Sequence, residues 1–307
     1  MNNYDLIIIG AGPAALTASV YASRYKINHL VIGQAPGGMM MQAHKICNWP
    51  GEKEISGFDL TVKMKEHALS YDVNIIESKV SQIKKTETGF VVTVGDVEYN
   101  ALSILLATGT IHHNLGITNE GKYLGHGLSY CATCDAMFFR NKVVAVIGGG
   151  NSALTAAIHL GEIASKVYLI VRKDNFRGEP TWIEQAEKNP KIEIIFNANV
   201  VEMMGEAKLE AIKLDKEYNG SEQVAVDGLF VEIGSSPQTE FFDALQIDID
   251  PEKYITVNPD QATNIPGVYA AGDITGGSNR IHQIVTAASE GAIAASSIFK
   301  YLKKIKA

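Results

Sequence analysis

The chain has 307 residues, 46% hydrophobic and 20% charged, the make-up of a folded globular protein with one large or two modest domains. This excludes a disordered chain, a fibrous repeat and, with three cysteines, a disulfide scaffold. A net charge of −7 leaves no broad basic field, so nucleic acid is not an expected partner.

The N-terminus reads Asp5 and a strand-like LIII where a targeting segment would carry a basic run and an apolar block. No run reaches the roughly 18 apolar residues that span a bilayer. No membrane is therefore expected, and cytoplasm is the expected compartment. Tyr4–Ile9 is a short β-branched apolar run, as in a strand buried on both faces, and leads into Gly10-Ala11-Gly12-Pro13-Ala14-Ala15. A helix from Ala14 to Tyr25 and a strand at His29–Ile32 complete a βαβ unit. Gly10 allows the tight turn, Gly12 lets the backbone approach a pyrophosphate, and Ala15 permits close helix–strand packing. The helix N-terminus then holds the anion. Where such sites usually place an acid for a ribose hydroxyl, this chain has Gln34, a weaker ligand.

Met39–Met41 reads as packing and Cys47 as a buried small residue. Gly57–Ser70 is an expected helix, Gly89–Asn100 a hairpin turning at Gly95-Asp96, and Leu102–Ala107 a further buried strand ending in Ala107-Thr108-Gly109. Cys131-Ala-Thr-Cys134-Asp135 follows. Three readings compete: half a zinc site, two buried thiols, and a reversible dithiol/disulfide. No second pair of ligands at zinc spacing is present, so no metal is expected, and the two-residue spacer favours the redox pair. Asp135 reads equally as an acid/base beside the pair and as a helix N-cap.

Lys142–Ile147, Gly148-Gly149-Gly150-Asn151-Ser152-Ala153, a helix and the strand Val167–Val171 repeat the first βαβ pattern. Arg172 and Lys173, with Arg177 just beyond, put cations where an adenosine 2′-phosphate would lie, which favours NADP over NAD. Lys191–Asn197 and Leu209–Leu214 are further strands, and Trp182 reads as packing. Gly267–Asp273 is a strand ending in Gly272-Asp273, followed by an Ala-rich helix from Gln283 to Leu302 and a basic end at Lys303–Lys306. The expected fold is α/β, with two Rossmann-like dinucleotide-binding domains, the second (116–236) inserted into the first (1–115 and 237–307).

With GAGPAA at Gly10–Ala15, Gly37-Gly38, NWPG at Asn48–Gly51, ATG at Ala107–Gly109, CATCD, GGGNSA, FRGE at Phe176–Glu179 and TNIPGVYAAGD at Thr263–Asp273, the chain resembles the low-molecular-weight thioredoxin reductases, FAD-containing flavoproteins of bacteria and archaea. The resemblance covers almost the whole chain. It implies FAD in the domain made of both chain ends, held by Gly10, Gly12, Pro13, Ala14, Ala15, Gln34, Gly38, Asn48, Thr108, Gly109, Gly272, Asp273, His282 and Gln283. It implies NAD(P)H at Gly148, Gly150, Asn151, Ser152, Ala153, Arg172, Lys173 and Arg177. Cys134 would face the flavin, Cys131 would attack the disulfide of thioredoxin, and Asp135 would be the acid/base. A homodimer and a swing of the inserted domain are implied as well.

The departures fall on the donor side. Val171-Arg172-Lys173 stands for the family's His-Arg-Arg, Thr155-Ala156 for a pair of glutamates, and His282 for an arginine. A nicotinamide donor is favoured over ferredoxin because the second fingerprint is retained, and NADPH over NADH because of the cations at Arg172, Lys173 and Arg177; NADH, ferredoxin and a different redoxin substrate are the alternatives. A redox-responsive flavoprotein that binds a partner without rapid turnover is the non-enzymatic one.

Overall fold

The computed structural model describes residues 2–237 and 242–307, in two compact units: the chain up to Ile111 together with Ser236–Ala307, and His112–Ser235. In the first unit a seven-stranded sheet is built on Asn3–Ile9, which pairs in parallel with His29–Ile32 on one side and Val97–Leu106 on the other. Asn74–Ile76 extends the sheet beyond His29–Ile32. The hairpin Phe90–Val94 and Val97–Leu106 differs from the expected pair of separate elements. Its second arm runs on without a break as a ten-residue strand, so one strand is both hairpin arm and sheet centre. Its last residues, Ile104–Leu106, pair in parallel with Val268–Ala270, which arrives from the far end of the chain.

Successive residues of a strand face opposite sides, and Leu6–Ile9 feeds two cores accordingly. Ile7 and Ile9 join Leu30, Ile32, Ile104, Phe90 and Val92 on one face. Leu6 and Ile8 meet helices Pro13–Arg24 and Ile284–Lys306 on the other. Those two helices touch through small residues, Ala14, Ala15 and Ala18 against Ala287, Ala294 and Ala295. At Gly291 the approach is so close that a Cβ would sit 2.1 Å from the Ala14 carbonyl oxygen.

The second unit has a five-stranded parallel sheet in the order Ile192–Phe196, Lys166–Val171, Val143–Ile147, Gly228–Val231, Leu128–Ser129. Helices Asn151–Ile163 and Pro180–Lys188 cover one face, where Trp182 packs as expected. An antiparallel meander, Val200–Met204, Ala211–Tyr218 and Ser221–Ala225, covers the other. Among the described residues, no helix is long and apolar enough to cross a membrane.

Candidate active site

Both sheets gather their candidate site residues at the carboxyl ends of parallel strands, the edge at which open α/β sheets bind ligands. In the first unit Gly10 follows Asn3–Ile9, Gln34 follows His29–Ile32, Thr108 and Gly109 follow Val97–Leu106, and Gly272 and Asp273 follow Val268–Ala270. Gly10 has φ 123°, and a Cβ there would meet the Ala107 carbonyl oxygen at 2.1 Å, so only glycine lets these two strand ends close. Around Gly12 the space is open: a Cβ would find only the Gly37 carbonyl oxygen, at 3.9 Å. Gly37 N–H donates to the Ala11 carbonyl at 2.7 Å, which carries Gly38 to the same turn.

The helix starting at Pro13 has no capping side chain and no acid in its first turn; the same holds for the helix starting at Asn151. Helix Gly57–Leu69 is capped by the Ser56 hydroxyl, which accepts from Asp59 N–H at 3.0 Å, with Asp59 in its first turn. The fingerprint helices thus leave their N-terminal donors open to an anion, unlike Gly57–Leu69; helix Pro180–Lys188 is also without a side-chain cap, so it is the glycine turn before each fingerprint helix that marks the site.

Asn48 and Gln283, 235 positions apart, meet directly: Asn48 Nδ2 donates to Gln283 Oε1 at 2.9 Å. Gln283 also caps helix Ile284–Lys306 in a capping box with Thr286. Burial pushes the Asp273 carboxyl up; His282 opposes the shift and Glu290 adds to it. Among the described residues, buried His282 Nε2 finds no hydrogen-bond partner. An open glycine cradle, uncapped amides and an orphaned imidazole nitrogen at one sheet edge fit the pyrophosphate and polar groups of FAD. Met40 is buried beside Ile46, Ile55 and Leu60, whereas Met41 is exposed. Cys47 is exposed, not buried as expected: it follows Ile46, whose side chain takes the inward position next to Ile55.

In the second unit, Gly148 has φ 142° and closes against the Glu232 carbonyl oxygen, which a Cβ would approach to 2.1 Å. Gly150 has no neighbour within 4 Å of a Cβ. The loop that holds the cations is tied to this turn. Arg177 N–H donates to the Gly149 carbonyl at 2.7 Å, and the Asn151 side chain clasps Glu179, accepting from its N–H at 2.7 Å and donating to Oε1 at 2.9 Å. Arg172, Lys173 and Arg177 are exposed, and none is in an ion pair among the described residues. This fits a dinucleotide carrying an extra phosphate. Glu232, which sequence reasoning did not single out, ends the strand Gly228–Val231 beside Gly148, and burial pushes its carboxyl up to about 7.

Cys131 and Cys134 follow strand Leu128–Ser129 at the same sheet edge and are joined in a disulfide, Cα to Cα 5.3 Å. Cys131 N–H donates to the Ser129 hydroxyl at 3.0 Å, and Cys134 N–H points to Cys131 Sγ at 3.2 Å. Cys134 is exposed and Cys131 half-buried. Asp135 stands at the N-cap of a short turn, Ala136–Phe139, but its side chain makes no cap bond, which removes the capping alternative. Beside the disulfide, Met137 and Phe138 are exposed, Phe138 by 72%.

A family model for pyridine nucleotide-disulphide oxidoreductases matches residues 4–291. The thioredoxin reductase of Listeria innocua is 38% identical over 306 residues, covering 99% of this chain and 95% of that protein. Among solved structures, Lactococcus lactis thioredoxin reductase superposes with a TM-score of 0.93 at 34% identity, covering 98% of this chain and 99% of that one. T. acidophilum thioredoxin reductase gives 0.92 at 35% identity, covering 99% and 100%. With two glycine fingerprints, a cysteine pair on the second unit and this likeness over its full length, the chain belongs to the thioredoxin reductase family of pyridine nucleotide-disulphide oxidoreductases.

Proposed function

We propose that the protein is an FAD-dependent thioredoxin-disulfide reductase that takes electrons from NADPH and passes them through the Cys131–Cys134 disulfide to thioredoxin. The observation that carries this reading is the Cys131–Cys134 disulfide at the same sheet edge as the second fingerprint. Gly10, Gly12, Ala14 and Ala15 would hold the FAD pyrophosphate, with Asp273, Asn48, His282 and Gln283 at its flavin end. Gly148–Ala153 would hold the NADPH pyrophosphate, and Arg172, Lys173 and Arg177 its 2′-phosphate. FAD supplies, when bound, a two-electron carrier between hydride donor and disulfide.

The disulfide accepts two electrons and two protons to become a dithiol. Once it opens, Cys134 N–H, 3.2 Å from Cys131 Sγ, is placed to stabilise a thiolate there, which supports Cys131 as the attacking residue. That thiolate attacks the disulfide of thioredoxin; the mixed disulfide is then resolved by Cys134, which releases the reduced partner and restores Cys131–Cys134. Asp135, next in the chain, holds or returns the thiol proton. Exposed Met137 and Phe138 give a protein substrate an apolar seat beside the sulfurs. The cytoplasm and a homodimer belong to the same reading, on the resemblance alone.

The test is anaerobic stopped-flow reduction, watching the flavin band, with NADPH, NADH and reduced ferredoxin as donors, followed by turnover with thioredoxin and with a glutaredoxin. Rapid bleaching by NADPH and preferential thioredoxin reduction are expected. Bleaching by ferredoxin alone would overturn the donor assignment, and slow reduction by every donor with redox-dependent partner binding would overturn the enzymatic one.

A further inference from the structure

Glu290 lies on the buried side of helix Ile284–Lys306, 4% exposed, and its carboxylate is fully engaged. Gly272 N–H donates to Oε2 at 2.7 Å, the Thr275 hydroxyl to Oε2 at 3.2 Å and the Ser278 hydroxyl to Oε1 at 2.6 Å. These bonds fasten the segment that carries Asp273. It continues through Ser278, Asn279 and Arg280, three consecutive residues in the left-handed region (φ 49°, 52° and 58°), a conformation that side chains rarely adopt. Two anchors hold it: the Ser278–Glu290 bond, and ion pairs from Arg280 to Asp250, at 2.8 Å, and to Glu252.

His282 follows this turn. Its ring lies 5.2 Å from that of Tyr254, over which the Arg280 guanidinium also lies, at 5.6 Å. The charged and titratable groups around the imidazole are thus Asp273, Tyr254 and Arg280, with Glu290 on the other side of Asp273, and Arg280 is committed to Asp250 and Glu252. His282 is the group of this cluster able to gain a positive charge. Its Nε2 is buried and has no partner among the described residues, a costly arrangement unless a ligand atom answers it.

We propose, resting on the reading that this site holds FAD, that His282 is a redox-linked proton acceptor: its imidazole takes up one solvent proton on two-electron reduction of the site and releases it on reoxidation. A hydride brings two electrons and one proton, so reduction leaves one added negative charge beside two carboxyls, and imidazolium formation offsets it. On reoxidation the Cys131–Cys134 S–S bond takes the two electrons. The dithiol then needs two protons: one is the proton that came with the hydride, and the other is drawn from solvent as His282 returns its own there.

The test is potentiometric titration of the flavin band between pH 5.5 and 9 in a Cys131→Ser/Cys134→Ser background, where flavin is the sole two-electron couple. Each proton taken up makes the reduction constant change tenfold per pH unit, about 30 mV for two electrons. With His282 in place, a window of about 60 mV per unit giving way to about 30 at higher pH is expected. His282→Gln should hold about 30 across that window. His282→Arg, with a fixed charge, should show the same shallow slope at a higher midpoint. One common slope in all three proteins, or a slope of about 30 throughout with His282 present, overturns the proposal; the second criterion still decides if the Gln variant fails to fold. A protein that binds no flavin overturns the FAD reading together with this one, whereas a flavoprotein lacking the window overturns this one alone.

Discussion

Gly291→Ala tests whether the contact between the two long helices of the first unit sets the shape of the cofactor edge. The added Cβ would lie 2.1 Å from the Ala14 carbonyl oxygen, 2.9 Å from its carbonyl carbon and 3.1 Å from its Cα. Contacts of this kind ordinarily open to more than 3.4 Å, and every atom met is backbone, so a helix must move by about 1 Å. Overpacking of this sort costs about 1–3 kcal/mol, offset by about 1 kcal/mol because alanine is the better helix former. Because all three contacts are to backbone, the cost lies at about 2–3 kcal/mol before that offset, so the net expectation is about 1–2 kcal/mol, or about 2–8 °C in the unfolding of a unit of this size. Helix Pro13–Arg24 begins at the first fingerprint, so the shift also displaces Ala14 and Ala15, and FAD affinity should fall at least tenfold. Thermal release of flavin fluorescence, equilibrium FAD titration and circular dichroism read these effects separately. Gly121→Ala, where a Cβ has nothing within 4 Å, is the control and should stay within about 0.5 kcal/mol of wild type. A Gly291→Ala protein with wild-type melting temperature and FAD affinity would refute the argument that this contact is rigid.

Replacing Arg172, Lys173 and Arg177 together by alanine should raise the KM for NADPH about 100-fold while moving that for NADH less than threefold; equal loss with both would deny them the phosphate role. Glu232 has a folded-state pKa of about 7 against an ordinary 4.5, so the folded form binds more protons between those values. Its contribution therefore favours folding below pH 4.5, weakens as pH rises to 7 and is flat above, a span of about 3 kcal/mol. Glu232→Gln should accordingly melt higher than wild type at pH 8 and alike at pH 4.5, as followed by calorimetry across pH. Phe138→Ala should raise the KM for the protein substrate about tenfold with the half-reaction from NADPH unchanged, checked by steady-state and stopped-flow kinetics.

Most of the fold was legible because its signals are local. Tyr4–Ile9 and Lys142–Ile147 are apolar runs ended by glycines, and the helices after them carry no internal breaker. The merging of Gly89–Asn100 with Leu102–Ala107 was not legible, because Asn100 and Ala101 read as a strand end when pairing is unknown; in the sheet they are held by partners on both sides. Cys47 misled for a related reason: small and apolar residues are assigned inward by composition, but Ile46 occupies the inward position. The glycine fingerprints and the cysteine pair could be read because turn geometry demands those residue types. Glu290 and Glu232 could not, since an acid in a helix or at a strand end ordinarily faces water, and only the tertiary fold places one under Gly272 and the other beside Gly148.

The pairing of Ile104–Leu106 with Val268–Ala270 has a consequence for synthesis. About 160 residues separate the two strands, so at 5–20 residues per second the ribosome takes roughly 10–30 s between them. During that interval His112–Ser235 has emerged whole and can fold, while the earlier half of its host waits with an apolar strand edge open. The inserted unit can thus be complete before the unit whose two segments flank it in the sequence, and the earlier segment keeps an open apolar strand edge until residue 270 appears.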